Sequence, residues 1–280
     1  MARMIGWAWL AIMLAVVVLA TLILAPLQWL AMKTGWIGEN RFRAVWHRIN
    51  VRALGFRVHV SGAMTARRPL LIASNHVSWT DIEILASLFD ISFIAKSDLA
   101  GWPAIGRLSR LQRPVYVERE NRRGSGKQAS EVARRLAENR PMVLFPEGST
   151  GDGNWLLPFK STLFGAAAKT IAGGVGTVYI QPLAIAYTRI HGLPMGRRHR
   201  VLGAWIGDQE LVPHLVGLLR EGAIDVELHF GEPIEFSAGS DRKDITRTVE
   251  RRVRAMTRAA LAGPCPGASQ NRLFFAAERR

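Results

Sequence analysis

The sequence offers little for covalent cross-linking or for binding a soft metal ion. It contains one cysteine, Cys265, among 280 residues. One cysteine excludes an internal disulfide and agrees with a reducing compartment. No Cys/His cluster has the spacing of a zinc site, so the sequence predicts no metal centre.

Acidic residues are scarce as well. There are 22 Asp and Glu against 37 Lys and Arg, which gives a net charge of +15. A chain this basic binds a polyanion, either nucleic acid or the anionic surface of a membrane. The length allows one substantial α/β domain with an appendage.

Charge is absent altogether from Met4 to Met32. A helix needs roughly 20 apolar residues to cross a bilayer, so this stretch is long enough. A cleaved signal peptide would have an apolar region of about 7–15 residues followed by small residues. Here the run is longer and continues into Pro26, Leu27 and Gln28. We therefore expect a retained membrane anchor over residues 1–34, either one spanning helix or, if Pro26 breaks it, a re-entrant hairpin.

The flanks of this anchor predict its orientation. Only Arg3 and the terminal amine precede it, whereas six basic residues follow it: Lys33, Arg41, Arg43, Arg48, Arg52 and Arg57. The positive-inside rule then predicts an inner-membrane protein whose body faces the cytoplasm.

Beyond the anchor, short apolar runs alternate with helical patterns. This predicts a mixed, largely parallel sheet flanked by helices over residues 35–262, followed by a loose basic tail over 263–280. The predicted strands are 56–60, 70–74, 91–96, 114–118, 142–145, 178–187, 199–206 and 225–231. The predicted helices are 39–54, 78–89, 127–139, 162–172, 209–221 and 242–261. The last helix is rich in arginine, which indicates either a solvated face or contact with anionic lipid headgroups.

The segment SNHVSWTD, residues 74–81, follows the apolar run LLIA. His76 can take a proton from a hydroxyl, and Asp81 can fix its tautomer and stabilise the imidazolium. Five residues on one helix lie about 140° apart, so the two cannot share a helix face. We expect His76 in the turn and Asp81 in the first turn of the next helix. A structural His–Asp contact is the alternative.

A second segment, LFPEGSTGDG, also leaves an apolar strand for a glycine-rich turn. Glycines let backbone amides approach a ligand closely, although a plain turn has the same composition. A third stretch is basic and indicates either a phosphate site or a solvated loop; it contains Lys96, Arg107, Arg110, Arg113, Arg119, Arg122 and Arg123. Its RRGSGK run lacks the spacing of a P-loop.

Together these segments resemble the glycerolipid acyltransferase family, whose best-known members are lysophosphatidic acid acyltransferases. The resemblance covers roughly residues 55–235. The N-H-x-x-x-x-D motif is matched by Asn75, His76 and Asp81, and F-P-E-G-[ST] by Phe145, Pro146, Glu147, Gly148 and Ser149. The block between them looks like Lys96, Pro103, Gly106 and Arg119, and a later strand carries Pro182.

The resemblance implies acyl transfer without a covalent enzyme intermediate and without a cofactor. His76 would deprotonate the acceptor hydroxyl, and Asp81 would orient His76. The acyl donor would be a thioester of acyl carrier protein or coenzyme A, and the acceptor a membrane lysolipid. Arg119, Glu147 and Gly148 would hold the acceptor headgroup. Asn75, Lys96, Lys160 and Pro182 would support the site.

One position departs from the family pattern. Members acting on lysophosphatidic acid usually carry an arginine soon after F-P-E-G-[ST], where this sequence has Thr150. The run GSTGDGN…LPFK resembles acyltransferases of lyso-ornithine lipid, whose headgroup carries an amine and a carboxylate. Ser149, Thr150 and Asp152 would then meet that headgroup, with Asp152 facing its cation. Lysophosphatidic acid is the alternative acceptor, with Lys160 in the place of the arginine.

Two other classes of function fit parts of the sequence. A membrane scaffold that has lost catalysis would keep the fold, but the intact His76, Asp81 and Glu147 argue against it. Nucleic-acid binding would fit the charge alone. It predicts basic patches interleaved with aromatic residues or a known docking motif, and the sequence has neither.

Overall fold

The computed structural model describes residues 2–35, 40–96, 105–112, 114–117 and 125–263. Its first element is a single helix, α1 (Ala2–Thr34), with Pro26 inside it. Proline removes one intrahelical hydrogen bond, but it does not end this helix, so the hairpin alternative is not found. By length and composition, residues 8–34 are able to cross a bilayer, and no other helix in the described ranges is.

The apolar helix is attached to the rest of the protein through α2 (Arg41–Ala53). The indole of Trp46 donates to the hydroxyl of Thr21 at 2.8 Å, and the amide of Arg43 donates to the side chain of Gln28 at 3.1 Å. Both acceptors lie on α1. The exposed side of α1 stays apolar: Leu19 and Leu22 are 59% and 67% exposed. One face of α1 is thus apolar and exposed, and the other forms hydrogen bonds with α2. Such a helix can contact lipid with the first face and protein with the second.

The remaining helices follow in chain order. They are α3 (Thr80–Leu88), α4 (Ile105–Arg110), α5 (Ser125–Ala137), α6 (Gly165–Ala172), α7 (Arg197–Arg200), α8 (Leu211–Glu221) and α9 (Arg242–Ala262). A 3₁₀ turn, Ser161–Phe164, leads into α6. The strands are β1 (Phe56–Ser61), β2 (Leu70–Ser74), β3 (Ser92–Lys96), β4 (Val115–Val117), β5 (Met142–Leu144), β6 (Thr177–Ile190), β7 (Leu193–Pro194), β8 (Ile224–Phe230) and β9 (Ile234–Ser237).

The described strands form one mixed sheet. Its main order is β1-β8-β6-β2-β5-β3-β4, with β7 and β9 paired to β6. The pairs from β6 through β2, β5 and β3 to β4 are parallel, while β8 runs antiparallel to β6. The predicted mixed, largely parallel sheet is therefore confirmed.

Helices cover both faces of this sheet. Ile72 and Leu183 pack on one face with Ile84 of α3 and Leu218 of α8. On the other face, residues of β2 and β5 pack with α5, α6 and α9: Leu71, Ala73, Met142, Leu144, Leu136, Ala167, Val249 and Val253. Two-sided burial explains why β2 reads as the unbroken apolar run LLIA rather than an alternating one.

The strand predicted over residues 199–206 is wrong. Residues 197–200 form the short helix α7 and residues 201–203 are turns. β6 pairs with β2 and with β8, and this segment is not among the strands of the sheet. The backbone of Trp205 bonds to loops instead: its amide donates to Val77 at 2.9 Å, and its carbonyl accepts from the hydroxyl of Thr150.

Three further short elements were not predicted: α4, β7 and β9. All three are brief and lack a clear period, so the pattern gives little signal. The other predicted elements are present with their ends shifted by a few residues. Most of the predicted basic tail, residues 264–280, lies outside the described residues.

The sheet order has a consequence for function. β2 and β5 are neighbouring parallel strands, with Ala73 opposite Leu144. Carboxyl ends of parallel strands meet at one edge of a sheet, where ligands of α/β proteins bind. The sheet therefore brings together the segments that follow β2 and β5, SNHVSWTD and FPEGST.

Candidate active site

The loop after β2 is fixed first by Asn75. Its side-chain amide donates to the carbonyl of Ile185 at 2.8 Å, and its side-chain oxygen accepts from the amide of Ile185 at the same distance. The side chain thus continues the pairing with β6 after β2 has ended. His76 and Val77 then turn away from the sheet, and α3 begins at Thr80.

His76 and Asp81 are in direct contact. The Nδ1 of His76 lies 2.8 Å from Oδ2 of Asp81. The same oxygen accepts from the amides of Val77 and Ser78 at 2.7 and 3.0 Å. Asp81 is the second residue of α3, so the chain folds back as expected, with the histidine in the turn and the acid in the first helical turn.

The other oxygen of Asp81 is held by Tyr187. The phenol donates to Oδ1 of Asp81 at 2.7 Å and lies 2.6 Å from the hydroxyl of Thr80. Burial, reinforced by the nearby Asp81, raises the pKa of Tyr187 well above its usual value. The phenol therefore stays protonated and remains a donor at every physiological pH.

The ring of His76 is stacked on Phe145, the first residue of the second motif, which directly follows β5. The ring centroids are 3.9 Å apart and the planes differ by 11°. The side chain of His76 is 16% exposed, whereas that of Asp81 is 0% exposed. Within the described residues the ring of His76 makes its one hydrogen bond through Nδ1, and Nε2 has no hydrogen-bond partner. A carboxylate on Nδ1 leaves Nε2 as the basic nitrogen of a neutral imidazole.

Glu147 binds the backbone of His76. Its Oε1 accepts from the amide of His76 at 2.9 Å and its Oε2 from the amide of Leu157 at 3.0 Å. The residue is 3% exposed. Burial raises the pKa of Glu147 to about 8, against the opposing effect of the two amide hydrogen bonds. Its carboxyl group thus ties the two motif loops together inside the protein.

The loop after Glu147 is partly exposed and packs against the histidine loop. The amide of Gly151 donates to the carbonyl of His76 at 2.8 Å. Gly148 has φ of +79°, and a β-carbon there would lie 2.9 Å from the Nζ of Lys160. The amine of Lys160 therefore lies over Gly148, next to the exposed Ser149.

Asp152 organises the far end of this loop. It accepts from the amides of Asn154 and Trp155 at 2.9 and 3.2 Å. Burial acts to raise the pKa of Asp152, but these hydrogen bonds outweigh it and lower that pKa. The group is therefore an anion at neutral pH and remains partly exposed.

The other predicted site residues are distributed as follows. Pro182 is buried on β6 opposite Ala73, and its carbonyl accepts from Gly231 at 2.9 Å. Lys96 is the last residue of β3, at the same edge of the sheet. Arg119 and Pro103 lie outside the described residues. The described residues contain no group of three or more His, Cys, Asp and Glu side chains that could hold a metal ion.

Two contributors to the site were missed by sequence reasoning. Tyr187 was only the end of a predicted strand, and nothing local marks it as a partner of Asp81. Arg200 donates to the side chain of Asn154 at 2.8 Å and lies in the segment that was predicted as a strand. The Asp-Gly-Asn run is visible in the sequence, but nothing local marks Arg200 as its partner.

Comparison with known proteins agrees with this geometry. The family described as Acyltransferase matches residues 56–186. A lyso-ornithine lipid O-acyltransferase of Rhizobium meliloti is 47% identical over 93% of this chain and 89% of its own. One of Brucella abortus is 49% identical over 93% and 98%. The chain belongs to the acyltransferase family.

The fold agrees as well. The crystal structure of the 1-acyl-sn-glycerophosphate (LPA) acyltransferase PlsC from Thermotoga maritima superposes with a TM-score of 0.65 at 18% identity, covering 94% of this chain and 99% of that one. The protein is therefore an acyltransferase with the PlsC-like fold, and its apolar α1 together with the lipid enzymes it resembles indicates membrane association.

The raised pKa of Glu147 predicts a pH-dependent stability. Because the folded state holds this proton up to about pH 8, against an ordinary value of 4.5, it binds more protons than the unfolded state between those values. The free energy of unfolding should fall as pH rises through this window, by an amount on the order of a few kcal/mol. Glu147→Gln lacks the titration. Melting temperatures measured in detergent from pH 5 to 9 should show that the difference between the wild type and Glu147→Gln shrinks as pH rises. A difference that stays constant over this range would contradict the proposed burial effect.

Proposed function

We propose that this enzyme transfers a fatty acyl group from an acyl thioester to the hydroxyl of lyso-ornithine lipid, giving ornithine lipid. The observation that carries the reaction type is the contact between His76 and the buried Asp81, with the other ring nitrogen free to meet a hydroxyl. The acceptor is supported by the two lyso-ornithine lipid O-acyltransferases that match this chain almost end to end.

The proposed reaction begins with His76 as general base. Its Nε2 takes the proton of the acceptor hydroxyl while the oxygen attacks the thioester carbonyl. The tetrahedral intermediate collapses, the carbon–sulfur bond breaks, and the thiolate leaves with the proton from the imidazolium. Asp81 stabilises that imidazolium through Nδ1. No bond to the enzyme forms, and the products are an ester and a free thiol of acyl carrier protein or coenzyme A.

Headgroup binding is proposed at the loop after β5. Gly148, Ser149, Thr150 and Asp152 border the catalytic histidine loop, and Asp152 supplies a negative charge for the headgroup amine. Arg119 and Lys96 are kept as candidates for binding the acceptor or donor. For Glu147 we propose a positioning role and not direct contact with the headgroup, because both carboxyl oxygens accept hydrogen bonds from backbone amides.

Lysophosphatidic acid is the second candidate acceptor. The amine of Lys160 over Gly148 is a cation of the kind that binds a phosphate, and it lies beside the same loop. Thr150 in the place of an arginine favours the amino-acid headgroup.

The location proposed for the enzyme is the inner membrane. Residues 1–34 would form the anchor and residues 35–262 the catalytic domain on the cytoplasmic side, where acyl thioesters are made. The excess of basic residues after α1 supports this orientation. The acceptor would then reach His76 by moving laterally within the bilayer.

Replacing the base should abolish the chemistry and leave the fold intact. We expect His76→Ala to lower kcat by about 10²–10⁴-fold, the usual contribution of a general base. Membrane association should not change, and the protein should stay folded with a lower melting temperature, because the buried Asp81 loses one of its four donors. His59→Gln is the matched control, since this histidine lies on β1 and contacts Asp225. Activity retained in His76→Ala, measured as product formed by the purified enzyme, would eliminate the assigned base.

The acceptor can be tested in one assay. Purified wild-type enzyme receives lyso-ornithine lipid and lysophosphatidic acid in separate mixed micelles, each with acyl carrier protein and coenzyme A thioesters. We expect kcat/KM for lyso-ornithine lipid to be higher by tenfold or more, because an unpaired phosphate dianion near Asp152 is unfavourable. A preference for lysophosphatidic acid would reject the proposed acceptor and keep the reaction type.

The single cysteine allows a test of orientation. Cys265 should react with a membrane-impermeant maleimide only after spheroplasts are permeabilised. A Cys265→Ser/Ala2→Cys variant, with its cysteine at the first residue of α1, should react in intact spheroplasts. Labelling of Cys265 in intact cells would place the catalytic domain on the outer side, and protection of both cysteines until permeabilisation would show that α1 does not span.

A further inference from the structure

Arg200 lies beside the active site in an unusual environment. Its Nη1 donates to the side-chain oxygen of Asn154 at 2.8 Å. Its Nε is buried without a hydrogen-bond partner in the part of the chain that the structure describes. Burial lowers the pKa of Arg200, and the neighbouring Arg197 lowers it further, while Asp152 acts in the opposite direction. An added anion would accept from the unused donors of this arginine and offset its repulsion from the second cation. The surroundings of Arg200 therefore favour anion binding.

Arg200 is close to the catalytic loop through Gly153. A β-carbon built on Gly153 would lie 3.2 Å from a methyl group of Val77 and 3.8 Å from the β-carbon of Arg200. Val77 directly follows His76, and its carbonyl accepts from the amide of Trp205 at 2.9 Å. The segment from residue 197 to 206 is thus packed on the histidine loop, and its arginine reaches the loop that follows Glu147.

Asn154 joins this arginine to an anion. Its side-chain nitrogen donates to Oδ2 of Asp152 at 3.2 Å and to the carbonyl of Arg197 at 3.1 Å, while its oxygen accepts from Arg200. No ion pair within 4.0 Å joins Asp152 and Arg200 among the described residues. A cation and an anion are therefore held apart by one amide, in contact with solvent and next to the catalytic loop.

The surroundings of Arg200 suit a lipid headgroup rather than a soluble ligand. Val201 and Leu202 follow it and are 44% and 39% exposed, and Trp155 is 58% exposed with the guanidinium of Arg197 5.4 Å from its ring centroid. Exposed aliphatic and Trp side chains beside arginines are typical of a membrane interface.

We propose that Arg200 binds the carboxylate of the acceptor headgroup while Asp152 faces its ammonium group. This inference rests on the proposed function, since lyso-ornithine lipid carries both charges. Arg200 would use the donors that Asn154 leaves free, and the acceptor hydroxyl would extend past Gly153 toward His76. Arg200 is thereby a specificity residue, and lysophosphatidic acid, which lacks the ammonium group, would leave Asp152 unpaired.

The test combines a variant with a modified acceptor. Wild-type enzyme and Arg200→Gln are each assayed with lyso-ornithine lipid and with its carboxyl methyl ester, which keeps the ammonium group and the hydroxyl. We expect the wild type to use the acid with a kcat/KM at least about tenfold above that of the ester, mostly through KM. Arg200→Gln should lose that preference and act on both acceptors at similar, low efficiency. Arg198→Gln, exposed on the same short helix, should keep the preference of the wild type.

The outcomes separate the possible failures. If Arg200→Gln lowers activity on acid and ester equally and the preference persists, Arg200 only holds the loop and the inference is wrong. If the wild type shows no preference for the acid over the ester, the enzyme does not recognise the carboxylate. The inference is then also wrong, although the proposed function stands. If the wild type does not acylate lyso-ornithine lipid at all, the proposed function fails first. Melting temperatures of the variants show whether lost activity reflects lost folding.

Discussion

The carboxylate of Asp81 is the group around which the catalytic loop folds. It is fully buried, and burying a charge is unfavourable unless donors replace its water. Four donors do so: the amides of Val77 and Ser78, the imidazole of His76 and the phenol of Tyr187. The contacts that solvate the carboxylate also fix the tautomer and direction of His76. Stability of the loop and readiness of the base therefore depend on the same atoms.

Glu147 repeats this arrangement one strand away. It too is a buried carboxyl group bound by backbone amides, and one of those amides belongs to His76. The loops are joined twice more, by the stacking of His76 on Phe145 and by the hydrogen bond from Gly151 to His76. The two sequence motifs are far apart in the chain but form one structure, because β2 and β5 are parallel neighbours. A displacement of the loop after β5 would therefore also move His76 in the loop after β2.

The sequence could predict those features whose causes are local. The buried strands β2 and β5 are unbroken apolar runs, and the His76–Asp81 contact spans only five residues. Tyr187 could not be predicted, because it meets Asp81 only through the order of strands in the sheet. The 197–206 segment was misread for a related reason: its apolar residues resemble a strand, but its backbone partners are loops that only the folded protein brings near. Continuity of α1 through Pro26 likewise depends on context rather than on the residue itself.

The position of Thr150 connects these observations to the choice of acceptor. Its hydroxyl donates to the carbonyl of Trp205, so the side chain secures the 197–206 segment against the active-site loop. That segment carries Arg197 and Arg200. A family member with arginine at this place has a cation on the loop itself; here the loop is neutral at that point and the cations come from the attached segment. The cation of Arg200 is thereby set opposite Asp152, across the side chain of Asn154, while the amine of Lys160 stays over Gly148. A compact dianion is best met by a cation on the loop, whereas a headgroup with separated charges needs an anion and a cation at a distance from each other. Thr150 therefore acts on the charge of the site indirectly, by binding a segment some fifty residues later in the chain that carries Arg197 and Arg200.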